Sequence, residues 1–353
     1  MERPRRPTIT DVAAEAGVAA STVSRSFTHP GRVNEHTRAH VLEVAARLGY
    51  APSPLAQALE SGRSNAVALV VPDIANPFFV GFVKGAERAL ASSQRTLVLA
   101  DGRESAAAEE AVVRRLHRAV DGFVLVASRL GDDALRQAAA LAPVVLVNRV
   151  TTGLPSVVAD YVGGAEQIAS HLASLGHRRF VVLGGPQGSW SGARRWTGLQ
   201  VAAGRHGLAA DRLGPFSPTF EAGAAAADAA LAHARETGAT AVVAHNDLLA
   251  LGVLARLAER GVEVPGDVSV VGFDDVFGAA LCSPPLTTLA ERSERAGALA
   301  VDALLGGGSA VGPGRSPQVV PTHLVVRRST GPAAAPQRPA GWDSAVNTRP
   351  GAS

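Results

Sequence analysis

The sequence predicts a two-part molecule: a small all-α helix-turn-helix module, then a larger α/β part built on two doubly wound parallel sheets. Three observations carry this. "TITDVAAEAGVAASTVSRSF" (Thr8–Phe27) reads as two short helices broken at Gly17. From Asn65 onward, continuous apolar runs alternate with helical stretches, as strands of a sheet covered on both faces do. That alternation occurs twice, which predicts two lobes. A chain of 353 residues is long enough for two or three domains.

In the opening module, Thr10 can cap a first helix with Asp11 in its first turn, and Gly17 suits a left-handed stop. A second helix then begins at Ala20 or Ser21, with Val23 facing inward and Arg25 outward. Two helices joined by a short Gly-containing turn form a helix-turn-helix, whose second helix fits the DNA major groove. Asn34 caps a third helix with apolar positions Val41, Leu42, Ala45 and Leu48, and Gly49 stops it. Residues 1–63 hold eight arginines against six acidic residues, too small an excess to prove nucleic-acid binding alone. Next, in "YAPSPLAQALESGRS", Ser53 is a good N-cap and Pro54 suits the first helical position. A helix that short is marginal in water and needs help to form.

The larger part begins with the strand "AVALVVP" and a helix from Pro77 to about Ala91. "TLVLAD", "GFVLVAS" and "PVVLVNR" continue the first lobe; "RRFVVLGG", "TAVVAHND" and "VSVVGFDD" build the second. Segments crossing between lobes are expected near Ser156–Asp160, Ser283–Leu289 and Gln318–Arg327. The expected division is 1–52 for the headpiece, 53–64 for the hinge and 65–328 for the lobes. The N-lobe takes about 65–160 plus 291–308, and the C-lobe about 161–290 plus 316–328. The Pro/Ala/Gly-rich tail 329–353 is expected to be disordered. Ligands of such sheets sit beyond the carboxyl ends of the strands. Those ends carry "DIANPFF", Asp101, Asn148-Arg149, Asp160, "GGPQGSWSGARRWTGL", "HND" and "GFDD".

"TITDVAAEAGVAASTVSRSF" with "RVNEHTRAHVLEVAARLGYAPSPLAQAL" resembles the headpiece of the LacI/GalR family of bacterial transcription regulators. "VPDIANPFF", "AHNDLLALGVL", "VPGDVSVVGFDD" and "PPLTTL" resemble the family's periplasmic-binding-protein-like effector domain, so the resemblance covers roughly 8–328. It implies base reading by Ala20, Ser21 and Arg25, with Thr22 and Ser24 on phosphate or bases, and DNA contacts extending over Thr8, Thr28, Val33 and Asn34. Thr28 departs from the family's usual Asn, and Ala19-Ala20 from a more polar pair. An arm carrying Arg3, Arg5 and Arg6 can touch phosphate or merely solubilise. The resemblance also implies a hinge that folds on DNA through Ser53, Ala56 and Leu59, with Leu59 wedged between base pairs of the minor groove.

For the effector, the resemblance implies contacts from Phe78, Phe79, Asn148, Ser191, Arg195, Asn246 and Asp274, with Arg149, Asp160 and Trp190 beside them. Arginine donates a fork of hydrogen bonds and a carboxylate accepts from two hydroxyls, so the set suits a sugar or related polyhydroxylated ligand. Phe79 or Trp190 can cover a sugar ring, while Phe78 or Phe79 fits helix-to-sheet packing and Trp190 a lobe surface equally well. Asp275 suits a turn cap better than ligand contact. Pro218 replaces a family aromatic, for which Phe216 or Phe220 can substitute.

The function expected is a cytoplasmic DNA-binding regulator, a repressor whose operator affinity a small effector controls, acting as a homodimer on a palindrome. No cofactor and no metal are expected. The start "MERPRRP" lacks a secretory apolar segment, no run of about 18 apolar residues appears, and the single cysteine, Cys282, forms no internal disulfide. These features count against the alternative, a transporter's solute-binding receptor. They also count against membrane insertion. No P-loop or G-x-G-x-x-G is present, and the central residue of "GSWSG" is Trp190, so it is no nucleophile elbow.

Overall fold

A computed structural model describes residues 7–50, 64–93, 95–306 and 316–334. The chain divides into two compact units, residues 1–66 with 118–121, and 67–117 with 122–353.

The headpiece holds α1 (Ile9–Glu15), α2 (Ala20–Thr28) and α3 (Glu35–Leu48). Thr8, not Thr10, caps α1. The Thr8 hydroxyl accepts from Asp11 N at 3.4 Å, and the Asp11 carboxylate accepts from Thr8 N at 2.7 Å. This reciprocal box satisfies two backbone donors, and a Thr10 cap would forgo it. Gly17 and Gly49 take left-handed φ values of 66° and 69° and stop α1 and α3. Val12, Val23 and Val41 are fully buried together, with Val44 and Ala45 beside them. Val44 thus replaces Leu42 on the buried face of α3.

The second unit holds two six-stranded sheets. The first contains β1 (Ala66–Val71), β2 (Thr96–Asp101), β3 (Gly122–Val126), β4 (Val144–Val147), β5 (Ser156–Ala159) and β11 (Gln318–Val320), in the order β11-β5-β4-β3-β1-β2. The second contains β6 (Arg179–Leu183), β7 (Ala209–Leu213), β8 (Ala241–Ala244), β9 (Ser269–Asp274), β10 (Thr287–Glu291) and β12 (Thr322–Val325), in the order β12-β10-β9-β8-β6-β7. β12 runs antiparallel to β10, while β10, β9, β8, β6 and β7 pair in parallel. β3 and β4 are buried at every position, as strands covered by helices on both faces must be.

The covering helices of the first sheet are α4 (Phe79–Leu90), α5 (Ala106–Leu116), α6 (Asp132–Leu141) and, from the end of the chain, α12 (Ser293–Leu304). α12 packs on α4 so closely that a Cβ on Gly85 would collide with the Glu294 carbonyl. The second lobe carries α7 (Tyr161–Ser174), α8 (Trp190–Arg205), α9 (Gly223–Thr237), α10 (Asp247–Glu259) and the short α11 (Phe277–Leu281).

Two expectations about the crossings change, and one about the tail. The second crossing lies at Arg292, close to the expected lobe boundary at 290/291 but not at Ser283–Leu289, because Thr287–Ala290 pair with β9 of the second sheet. Residues 316–320 belong to the first lobe, since β11 pairs with β5. The ordered chain also runs past 328. Ser329 is fully buried, its hydroxyl donating to Val270 O at 2.6 Å and accepting from Thr287 N at 2.8 Å. Gly331 N then donates to the Ser269 hydroxyl, so the described chain reaches Ala334.

Candidate DNA-reading helix and interlobe cleft

On α2, Val23 and Ser26 face the headpiece core, while Ala20, Ser21 and Arg25 are exposed and Thr22, Ser24 and Thr28 half-buried. Val23 thus fixes which face of the helix looks outward. The Thr28 hydroxyl donates to Ser24 O at 3.0 Å and is occupied by its own helix. Val33 is half-buried; Asn34 is exposed and caps α3 by accepting from His36 N at 3.0 Å. Ser53, Ala56 and Leu59 of the hinge, and Arg3, Arg5 and Arg6 of the arm, lie outside the described residues.

In the α/β unit, strand ends bring one polar cluster together. Asn148 follows β4, Asp274 ends β9, Asn246 follows β8 and caps α10, and Ser191 and Arg195 lie on the first turns of α8. Arg195 is the centre. Its Nη2 donates to Asp274 Oδ1 at 2.8 Å and to Glu291 Oε1 at 3.1 Å, and its Nη1 to the His245 carbonyl. Its guanidinium lies 4.6 Å from the Phe273 ring centre and 5.6 Å from that of Tyr161. Asn148 Nδ2 donates to Glu291 Oε2 at 2.9 Å, so Glu291 links a first-lobe strand end to the second lobe. Asn246 donates to the Pro218 carbonyl at 3.0 Å, and the Ser191 and Ser189 hydroxyls lie 3.2 Å apart.

Burial governs the electrostatics. Desolvation, together with Glu291 nearby, drives the Asp274 carboxyl well above its ordinary range, against the pull of Arg195. Burial also raises Asp247, on the first turn of α10, to about 7, although it accepts from the Thr288 hydroxyl at 2.6 Å and from Val276 N at 2.8 Å. His245 is held neutral by burial and by the Arg195 charge. Ala127, Asn148 and Asp274, each at or just past a strand's carboxyl end, have left-handed φ values of 45°, 52° and 105°. Strain of this kind persists where surrounding structure over-determines it, as at binding sites.

The other expected effector residues make the following contacts. Phe78 and Phe79 share a buried cluster with Phe82 of the first lobe and Val276 of the second, two residues past Asp274, and Phe78 stands edge-on to Phe82 at 5.2 Å. Arg149 pairs with Asp132 at 2.7 Å. Asp160 caps α7 by accepting from Gly163 N. Trp190 stands edge-on to Tyr161 at 6.2 Å and under the Arg194 guanidinium. Asp160 and Trp190 line a groove of about 520 Å³ beside Tyr161, one that Ser191, Arg195, Asn246 and Asp274 do not line. Asp275 is held by Arg327 at 2.7 Å. Phe216 packs on the second-lobe core, and Phe220 is exposed.

Two cluster members escaped the sequence reading, Glu291 and Tyr161. Glu291 ends β10, so the strand-end rule would have found it had the crossing been placed at Arg292. Tyr161 follows Asp160 directly and carries only the signal of its neighbour.

Residues 8–53 match "Bacterial regulatory proteins, lacI family", and residues 169–330 match "Periplasmic binding protein-like domain". The HTH-type transcriptional repressor CytR of Escherichia coli (strain K12) is 31% identical over 331 residues, covering 92% of this chain and 96% of that protein. The HTH-type transcriptional regulator CelR of Thermobifida fusca is 36% identical over 349 residues, covering 93% of this chain and 100% of that protein. Among solved structures, the lac repressor dimer bound to operator and the anti-inducer ONPF superposes with a TM-score of 0.80 at 27% identity, covering 93% of this chain and 100% of that one. A CelR–cellobiose complex superposes with a TM-score of 0.65 at 34% identity, covering 92% of this chain and 100% of that one. With a headpiece that presents α2 outward and a two-lobed unit whose strand ends converge on Arg195, the chain belongs to the LacI family of bacterial transcriptional regulators.

Proposed function

We propose that this regulator represses transcription as a homodimer on a palindromic operator, and that a neutral sugar bound between its lobes releases it. The observation that carries this is the union of two features in one chain: an outward α2 bearing Arg25, and a buried Arg195–Asp274–Glu291–Asn148 cluster joining strand ends of both lobes. A single headpiece contacts one half-site, so a two-fold assembly is required for tight binding. The exposed apolar residues Phe277 and Leu281 of α11, 80% and 67% accessible, supply surface for such an assembly. Ser53, Ala56 and Leu59 form the hinge that couples lobe closure to the headpieces. Binding DNA places the protein in the cytoplasm.

The solved CelR complex contains cellobiose, which makes cellobiose the first effector to try. Selection of binding sites from randomised duplexes, then operator titration with cellobiose and a panel of neutral sugars and nucleosides, tests the reading. A two-fold-symmetric site whose affinity changes with one of these ligands supports it. Selection that enriches no sequence contradicts it.

A further inference from the structure

Arg195 serves two carboxylates with one guanidinium. Its Nη2 donates to both Asp274 Oδ1 and Glu291 Oε1, and the side chains of all three are more than nine-tenths buried. One guanidinium thus serves two carboxyl groups, and Asp247 adds a further buried carboxyl close enough to act on Asp274. Two other arginines just past strands of the first sheet are already matched. Arg129, past β3, holds Glu104 at 2.6 Å, and Arg149, past β4, holds Asp132. Two buried polar groups of the cluster have no hydrogen-bond partner, the Tyr161 hydroxyl and Arg195 Nε.

We propose that the cleft discriminates by charge. It accepts uncharged or amine-bearing polyhydroxylated ligands and rejects sugar phosphates and sugar acids, and Glu291 is the residue that sets this discrimination. An anion entering a buried site needs a cation with unspent charge, since desolvating it without one is too costly. Arg195 offers none while Asp274 and Glu291 both hold it. Ligand hydroxyls or an ammonium group, in contrast, donate to the remaining carboxylate lone pairs, and the Tyr161 hydroxyl gains a partner. Burial first, and then Glu291 and Asp247, raise the Asp274 carboxyl against the pull of Arg195. The inference rests on the cleft being the effector site proposed above.

The test needs no knowledge of the natural ligand. Wild-type protein, Glu291→Gln and Asp274→Asn are titrated with inorganic phosphate at constant ionic strength, by thermal shift and calorimetry, with chloride as the control. Wild type should show no binding beyond the control. Glu291→Gln, which keeps shape and removes one charge, should bind phosphate about tenfold or more tightly than wild type. Asp274→Asn should move in the same direction and serves if Glu291→Gln fails to fold. Wild-type binding of phosphate that Arg195→Lys weakens would overturn the proposal, as would two folded variants with no gain. Failure of the sugar-release reading is recorded separately, as operator binding that no neutral sugar alters; the phosphate result is independent of it.

Discussion

At the scale of single residues, burial decides which side chains are free to act. Arg25 is exposed on α2 because Val23 takes the inward position two residues earlier. A guanidinium placed there can bind the O6 and N7 atoms of guanine as a fork. Arg25→Ala should weaken operator binding by about 1–3 kcal/mol and relax preference at one base pair, read by titration over a randomised half-site. Equal loss on every sequence would assign Arg25 to phosphate. Asp247 is fully buried and held at about 7, above its value in the unfolded chain. The folded state therefore binds a proton that the unfolded chain releases at lower pH. The resulting penalty is absent below about pH 4 and complete above about pH 7, on the order of 4 kcal/mol. Wild-type stability should fall from pH 5 to pH 8, and Asp247→Asn should flatten that slope in denaturant titrations. A slope unchanged in the variant would place the titration elsewhere.

At the scale of elements, most of the framework was legible in the sequence. The continuous apolar runs became strands because helices cover both faces of each sheet. Gly17 and Gly49 ended their helices because both adopt a left-handed φ. The misses share a physical origin. β10 reads "TTLAE", with polar residues at both ends, so its membership of the second sheet depends on pairing with β9, which local composition does not encode. The same gap hid Glu291. Thr8 took the cap from Thr10 because its box with Asp11 satisfies two donors, a distinction that only the side-chain hydrogen bonds reveal. Trp190 was legible as an aromatic near the site, but only packing against Tyr161 shows which way it faces. In the hinge action proposed above, an apolar wedge at Leu59 would unstack a base step at a cost of about a few kcal/mol, recovered through contacts that bent DNA permits. Leu59→Ala should reduce operator affinity and DNA bending together and leave ligand affinity without DNA unchanged. A normal bend in the variant would reduce Leu59 to linker packing.

At the scale of the whole molecule, the headpiece, the two lobes and the effector of each protomer act as a unit in the function proposed above. An effector shifts DNA affinity only by as much as it prefers one lobe arrangement over another. Glu291 holds Asn148 of one lobe and Arg195 of the other, so a ligand that competes for these groups changes the balance between arrangements. Assembly is the second requirement. Phe277→Asp should shift the molecule toward monomer in sedimentation and lower operator affinity by removing the paired headpiece; a variant that stays dimeric would place the interface elsewhere. The central claim is that effector occupancy of the Arg195 cluster controls operator affinity. The most direct measurement is operator titration of wild type and Asp274→Ala, each with and without the sugar that the panel identifies. Wild type should lose affinity in the presence of sugar. Asp274→Ala should bind the free operator as wild type does and ignore the sugar, because an unpaired buried partner costs about 1–3 kcal/mol of ligand affinity. An Asp274→Ala protein that still releases DNA at the wild-type sugar concentration would contradict the claim.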